Sequence, residues 1–163
     1  MYDPASALHG TEAVFAALPE NAAVKALQEI AKDAKFDRAE LTITVAREDV
    51  VVATQTLQAA GYNFFEDVTC VDWYPSEPRF QITYHILSHK LKERICLIVR
   101  LDSGDPSLDS ITGVWPAANF YEREIFDLFG VHFGGHPNLT RIMMPTDWVG
   151  HPLRKDYPVE GYR

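Results

Sequence analysis

The stretch from residue 115 to residue 130 constrains this chain most, because it predicts a helix with defined ends followed by a segment that cannot be helical. Pro116 suits the first helical position, where the missing N–H group costs little. Gly130 suits the position just after a helix, where the backbone turns left-handed. Residues 131–163 contain four prolines, which exclude a long helix there: Pro137, Pro145, Pro152 and Pro158.

The predicted helix is apolar over much of its surface. Its stripe at helical spacing consists of Ala117, Ala118, Tyr121, Ile125, Leu128 and Phe129. Phe120 and Phe126 lie outside this stripe, so the helix has more apolar surface than one small domain covers. Such a surplus indicates contact with other proteins.

Three carboxylates and an arginine lie on the same helix. Arg123 and Asp127 stand four residues apart, and we expect them to pair. Glu124 falls at the edge of the apolar surface, where a carboxylate needs a partner. Glu122 and Glu124 differ in direction by about 160–200° on a helix. They cannot act on one substrate atom, so structural or interfacial pairing is favoured over acid–base catalysis.

Charge and composition narrow the class of protein. Apolar residues make up 47% of the chain, which is enough for a globular core. The net charge is −8, and a nucleic-acid partner would require a basic face. Residues 1–130 carry a balance of −9, whereas residues 131–163 carry +1 together with half of the histidines. No signal-peptide pattern and no apolar run of about 20 residues is present, which favours a reducing, cytoplasmic compartment.

Hydrophobic periodicity predicts an α+β fold. Helices are expected over residues 11–18, 21–34 with Asn21 as the cap, 47–60 and 115–130, and strands over 41–45, 64–74, 79–88 and 94–101. This order suggests a single domain with a largely antiparallel or mixed sheet and helices packed on one face. We expect residues 1–130 to form the core domain and residues 131–163 an extended, proline-rich C-terminal docking arm, called the arm below.

The arm is too apolar to be a solvated tail. Its large apolar residues are Leu139, Ile142, Met143, Met144, Trp148, Val149, Leu153 and Tyr157. An extended segment of this kind is expected to order by packing on its own domain and on a neighbour. Within it, Arg154 and Tyr157 are residue types enriched at interface hot spots.

Sites for metals and cofactors are weakly indicated. Cys70 and Cys96 lie on predicted strands and are interpreted as core thiols, since an iron–sulfur cluster normally needs four close thiolates. A three-histidine metal site of a stand-alone hydrolase is conceivable from His132, His136 and His151, but loop histidines bonded to the backbone are favoured. No phosphate-binding glycine loop or dinucleotide fingerprint is present, so this chain is not expected to bind NAD or flavin.

Several motifs resemble one known family. They are Glu-Arg-Glu-x-x-Asp-x-x-Gly at 122–130, Gly-His-Pro-Asn-Leu-x-Arg-Ile at 135–142, and Trp-x-Gly-His-Pro-Leu-Arg-Lys-Asp-Tyr-Pro at 148–158. Trp-Pro-Ala-Ala-Asn at 115–119 and Asp-Val-Thr-x-Val-Asp at 67–72 agree with them. Together they resemble the C subunit, or 30-kDa subunit family, of bacterial proton-pumping NADH:quinone oxidoreductase, respiratory complex I.

The resemblance implies a non-catalytic subunit of the peripheral arm of that complex, on the cytoplasmic side of the inner membrane. It implies no cofactor in this chain, while the holoenzyme holds FMN and iron–sulfur clusters and uses NADH and quinone. Implied partners are the quinone-site subunit, the cluster-carrying subunit beside it and the ferredoxin-like subunit, with membrane association only through the complex. The equivalent subunit of a membrane-bound [NiFe] hydrogenase or of a ferredoxin-driven relative remains the alternative.

On this interpretation the helix over 115–130 and residues 136–158 are the main docking surfaces, with no catalytic, cofactor-binding or metal residues. The predicted interface residues are Glu122, Arg123, Glu124, Asp127, His136, Arg141, Trp148, His151, Arg154, Lys155, Asp156 and Tyr157.

Overall fold

A mixed six-stranded sheet forms the centre of the computed structural model, which describes residues 7–162. Its strands are β1 (Leu8–His9), β2 (Ala31–Asp37), β3 (Glu40–Val45), β4 (Phe64–Asp72), β5 (Phe80–Ser88) and β6 (Glu93–Leu101). Their order across the sheet is β1-β2-β3-β6-β5-β4. Neighbours are antiparallel except β3 and β6, which are parallel and join the two halves of the sheet.

All four helices contribute to one apolar core on a single face of this sheet. They are α1 (Thr11–Ala17), α2 (Ala22–Leu27), α3 (Val50–Ala59) and α4 (Ala118–Phe129). A 3₁₀ turn at Arg47–Asp49 leads into α3. Strand alternation explains the one-sided core: Tyr84 and Ile86 are fully buried in it, whereas His85 between them lies on the opposite face.

The predicted fold class is confirmed, and one local prediction is wrong. Asn21 caps α2 as expected, because its side chain accepts hydrogen bonds from the N–H groups of Ala23 and Val24. The helix nevertheless ends at Leu27 rather than continuing to residue 34. Residues 31–37 instead pair as β2 with β3, and Ala34 enters the core opposite Ile43. Tertiary pairing here overrides a local helical pattern.

The helix predicted over 115–130 is α4, which begins three residues later than Trp115. Pro116 lies in the preceding turn, where its carbonyl accepts from the N–H of Asn119. Gly130 ends the helix with φ 72°, as its position in the sequence predicted. None of the helices formed within residues 7–162 is long and apolar enough to cross a membrane.

A second, two-stranded sheet lies where the core meets the arm. Strands β7 (Ser107–Asp109) and β8 (His132–Gly134) pair in parallel. Val131 and Phe133 are fully buried in the core, so the first residues of the arm are integral to the domain. From residue 135 to residue 162 the chain forms no helix or strand. Its order must come from other contacts.

The central strand pair predicts one strong effect on stability. Leu97 on β6 is fully buried opposite Ile43 on β3. Leu97→Ala should lower the free energy of unfolding by about 2–5 kcal/mol, because it leaves a cavity in the core. Leu91→Ala, at a position 38% exposed, is the matched control and should cost far less. Urea unfolding of both variants tests this, and equal losses would contradict the described core.

Candidate docking surface

The buried carboxylate of Asp127 joins α4 to the arm. Its Oδ2 accepts the backbone N–H groups of Ile142, Met143 and Met144 at 3.0, 2.7 and 2.9 Å. Its Oδ1 accepts from Arg141 Nη1 at 2.6 Å. Three successive N–H groups on one oxygen form an anion-binding nest, so the backbone of the arm is wrapped around this side chain.

The last turn of α4 is completed by the second half of the arm. A helix leaves its final carbonyl groups without partners. His151 Nδ1 donates to the carbonyl of Asp127 at 2.9 Å, Leu153 N to that of Leu128 at 3.1 Å, and Arg154 Nε to that of Phe129 at 2.5 Å. The positive charge of Arg154 also suits the negative end of the helix dipole. The arm therefore caps α4.

Gly130 permits this close approach. A Cβ added there would lie 2.5 Å from the His151 ring and 2.6 Å from Arg154 Nη2. The left-handed backbone is a second reason for glycine at this position. The sequence signal that ends the helix is thus also the condition for seating the arm.

A second connection joins the arm to the end of the central sheet. Arg79, which precedes β5, donates through Nε and Nη2 to both oxygens of Asp72, at 2.9 and 2.8 Å. It also donates through Nη1 and Nη2 to both oxygens of Asp156, at 3.0 and 2.6 Å. Asp72 additionally accepts the N–H of Lys155 at 2.9 Å. Arg79 therefore bridges a buried strand residue and the arm by two bidentate pairs.

Both anchoring carboxylates are held in the charged form. Burial by itself raises the pKa of Asp72, but the hydrogen bonds from Arg79, Lys155 and Tyr74 outweigh it and lower the pKa to about 2. Burial likewise opposes ionisation of Asp127, and the backbone N–H groups of 142–144 with Arg141 bring its pKa below the ordinary value. Hydrogen bonds to the charged form dominate at both sites.

Glu122 behaves in the opposite way. Its side chain is fully buried beneath the loop before α4, where it accepts from the N–H of Ile111 at 2.9 Å and from Ser110 Oγ at 2.6 Å. Burial raises its pKa to about 7, against the lowering effect of these two bonds. His136 Nε2 lies 3.9 Å away and bonds the Asn119 carbonyl at 3.2 Å. Glu122 thus fixes the chain entering α4.

While its backbone is anchored, the arm leaves large apolar side chains in solvent. These are Ile142, Met143, Trp148, Val149, Leu153, Val159 and Tyr162, and we call this set the docking surface. Tyr157 folds the end of the chain back, since its ring lies edge-on to Tyr162 and its hydroxyl donates to the Val149 carbonyl at 3.3 Å. Apolar residues held in fixed positions but not covered are typical of a protein interface.

The twelve predicted interface residues fall into three groups by exposure. Glu124, Trp148, Lys155 and Asp156 are exposed. Partly buried are Arg123, His136, Arg141, His151, Arg154 and Tyr157. Glu122 and Asp127 have no exposed surface. These two cannot touch a partner, so any part they have in docking is through the position of the arm.

Two pairings expected from helical spacing require correction. Asp127 pairs with Arg141, while Arg123 donates to the carbonyl and hydroxyl of Thr140, both at 3.0 Å. The i,i+4 rule describes exposed helix surfaces, whereas Asp127 faces the arm. Glu124 is exposed, and Glu122 is the carboxylate that burial places among apolar neighbours. The predicted stripe was rotated because both faces of α4 are covered.

The histidines follow the favoured interpretation. His136 and His151 bond backbone carbonyl groups, as predicted. The N–H of Asn138 donates to His136 Nδ1 at 3.0 Å, which places the His136 proton on Nε2. Within residues 7–162, no set of clustered metal-ligating side chains brings together His132, His136 and His151.

Sequence reasoning missed Arg79 and Ser110. Arg79 lies 77 positions from Asp156, and nothing in local spacing links them. The one available signal was that Arg79 directly precedes an almost wholly apolar strand, where an arginine needs partners. Ser110 gave no signal, because a single serine in a turn-rich segment is ordinary.

The chain matches the family model described as "Respiratory-chain NADH dehydrogenase, 30 Kd subunit" over residues 43–163. That span includes α4, the arm and five of the eight strands. The chain therefore belongs to this family, and the resemblance inferred from its motifs is confirmed.

Relatives carry the more particular name of the C subunit of NADH-quinone oxidoreductase. One from Citrifermentans bemidjiense is 45% identical over 86% of this chain and 91% of its own length. One from Geobacter sulfurreducens is 47% identical over 79% and 81%. A solved structure titled as a trypsin-resistant fragment of Nqo5 superposes with a TM-score of 0.58 and 33% identity, covering 61% of this chain and 83% of its own.

A second solved structure has the same fold in another setting. It comes from an archaeal membrane-bound sulfane sulfur reductase and gives a TM-score of 0.67, covering 83% of this chain and 82% of its own. Its 24% identity supports similarity of fold alone.

Removal of the Arg79 charge should destabilise the chain strongly. Arg79→Met leaves the buried Asp72 carboxylate without its main partner, and we expect a loss of about 3–5 kcal/mol. Arg94→Met is the control, because Arg94 is 53% exposed and its pair with Glu66 should contribute less than ~1 kcal/mol. Denaturant unfolding at neutral pH measures both, and comparable losses would refute the bridging role.

The buried Glu122 should make stability depend on pH. Since its folded pKa of about 7 exceeds its unfolded value, its favourable contribution is present below pH 4.5 and is lost as the pH rises through 7. Glu122→Gln should therefore gain on the order of 3 kcal/mol relative to the wild type between these limits.

The exposed Glu124→Gln on the same helix is the matched control, with little expected change. Unfolding titrations of the three proteins at several pH values give the comparison. Parallel curves for the wild type and Glu122→Gln would count against a neutralised buried carboxylate.

Proposed function

We propose that this chain is a non-catalytic structural subunit of a proton-pumping NADH:quinone oxidoreductase, which fastens and positions the electron-carrying subunits. The observation that carries the proposal is the docking surface: exposed apolar side chains on a segment whose backbone is anchored to α4 and to the sheet. The printed names of the relatives supply the identity of the complex. Rigid positioning matters for electron transfer because small displacements of reacting groups are costly.

The partners follow from the family. We infer that the arm and α4 contact the quinone-site subunit, the cluster-carrying subunit beside it and the ferredoxin-like subunit. The holoenzyme would supply FMN, iron–sulfur clusters, NADH and quinone, and the chain would lie peripherally on the cytoplasmic side of the inner membrane. The balance of +1 on residues 131–163, against −9 on the rest, sets this surface apart electrostatically.

A second function has one observation in its favour. The shared fold with a chain of an archaeal sulfane sulfur reductase shows that this domain also occurs in another membrane-bound respiratory complex. A hydrogenase or ferredoxin-driven complex would therefore offer a similar place to such a subunit. The relatives above 40% identity nevertheless bear the NADH-quinone name, so the first function is supported better.

A pull-down of the tagged chain from gently solubilised membranes distinguishes these functions. Recovery of NADH-oxidising, iron–sulfur and quinone-site subunits in fixed proportion is the expected result. A nickel–iron hydrogenase large subunit without an NADH module would favour the alternative. Recovery of the chain alone would contradict both.

A charge placed within the docking surface should block assembly without unfolding the chain. Val149→Asp changes a side chain that is 62% exposed, so its effect on the free energy of unfolding should be below ~0.5 kcal/mol. The desolvation of an unpaired carboxylate at an interface should nevertheless sharply reduce the abundance of the complex. Native gel electrophoresis with an NADH-oxidation stain measures that abundance.

Val52→Asp provides the matched control, because Val52 is 52% exposed on α3, away from the arm. It should leave assembly intact. Glu124→Ala, on the exposed side of α4, tests whether that helix also contributes. Normal complex in Val149→Asp, or equal loss in Val52→Asp, would contradict the position of the docking surface.

A further inference from the structure

We propose that Glu40, His85 and Cys96 form a binding site for a divalent transition-metal ion of the zinc type, on the sheet face opposite the helices. One ligand atom from each of the three residues lies within 4.8 Å of the other two. Carboxylate oxygen, imidazole nitrogen and thiolate sulfur are the protein ligands that zinc takes, and three of them leave a fourth position for water.

The register of the central strands places these side chains together. Cys96 on β6 lies directly opposite His85 on β5 and opposite Thr42 on β3. Glu40 precedes Thr42 by two residues, so alternation puts it on the same face as Cys96. The arrangement is thus set by backbone ladders on three adjacent strands rather than by chance contact of mobile loops.

A fourth side chain orients the histidine. Asp67 on β4 lies opposite His85, and its Oδ1 is 2.7 Å from His85 Nδ1. This contact leaves Nε2 as the ring nitrogen open to a metal. A carboxylate bonded to the far nitrogen is the usual support of a metal-binding histidine, because it fixes the tautomer and raises the basicity of the ligand.

Cys96 differs from the other cysteine in a way that fits this role. Cys70 belongs to the apolar core under the helices, whereas Cys96 is 7% exposed on the other face and lies outside that core. The interpretation of Cys96 as an inert core thiol is therefore replaced. Burial and the nearby Glu40 raise its pKa to about 11, so metal binding would displace a thiol proton and strengthen with rising pH.

A metal here would connect the two halves of the sheet. Glu40 belongs to the half formed by β1, β2 and β3, and the other two ligands belong to the half formed by β4, β5 and β6. The halves meet only at the parallel β3–β6 pair within the described sheet. A ligand that binds the folded chain alone raises its stability, so the metal should raise the unfolding temperature.

Cobalt(II) titration of the reduced, metal-free full chain tests the site, because a thiolate ligand gives a charge-transfer band in the near ultraviolet. The expected result is saturation at one ion per chain, reversal by zinc, and a higher unfolding temperature. Cys96→Ser should abolish the band, and Cys70→Ser should retain it. Asp67→Asn should weaken binding by roughly 10–100-fold as a positioning residue.

His85→Ala and Glu40→Gln alter partly or fully exposed side chains, so they test the site even if Cys96→Ser fails to fold. Both should weaken binding, whereas His89→Ala, outside the cluster, should not. A band that persists in Cys96→Ser or that disappears in Cys70→Ser would overturn the proposal. Sub-stoichiometric binding, or binding unaffected by His85→Ala, would do the same.

Discussion

The carboxylate of Asp127 is the contact on which the arm depends. One oxygen holds three successive N–H groups of residues 142–144, and the other holds Arg141. Each ordered residue costs roughly 1–2 kcal/mol of backbone entropy, and residues 135–162 have no helix or strand to offset it. Hydrogen bonds to a buried, charged group are among the few interactions strong enough to do so.

The capped end of α4 and the Arg79 bridge extend the same arrangement. His151, Leu153 and Arg154 satisfy the final helix carbonyls, and Lys155 and Asp156 reach the end of the sheet through Asp72 and Arg79. Polar backbone atoms are thereby directed inward. The apolar side chains between these points are left outside, where a partner can cover them. A surface ordered before binding loses less entropy on association.

Much of the fold could be predicted from sequence, because its strongest signals are local. The alternation along 79–88 and 94–101 defines β5 and β6, and Gly130 defines the end of α4. The failures arise where distant contacts decide. Residues 31–37 lack β-branched side chains and become a strand only by pairing with β3. Asp127 chooses Arg141 over the nearer Arg123, and Arg79 meets Asp156 across 77 positions. For the docking surface, the sequence indicated the apolar arm but not which side chains are exposed.

Hydrogen exchange of the isolated chain tests the central claim, that the arm is ordered by its own domain before any partner binds. The informative amides are those of Ile142, Met143, Met144, Leu153 and Lys155, which donate to Asp127, Leu128 and Asp72. We predict that they exchange far more slowly than in an unstructured peptide. Exchange at the unstructured rate, with protection only in the assembled complex, would contradict the claim and make the arm a segment that folds on binding.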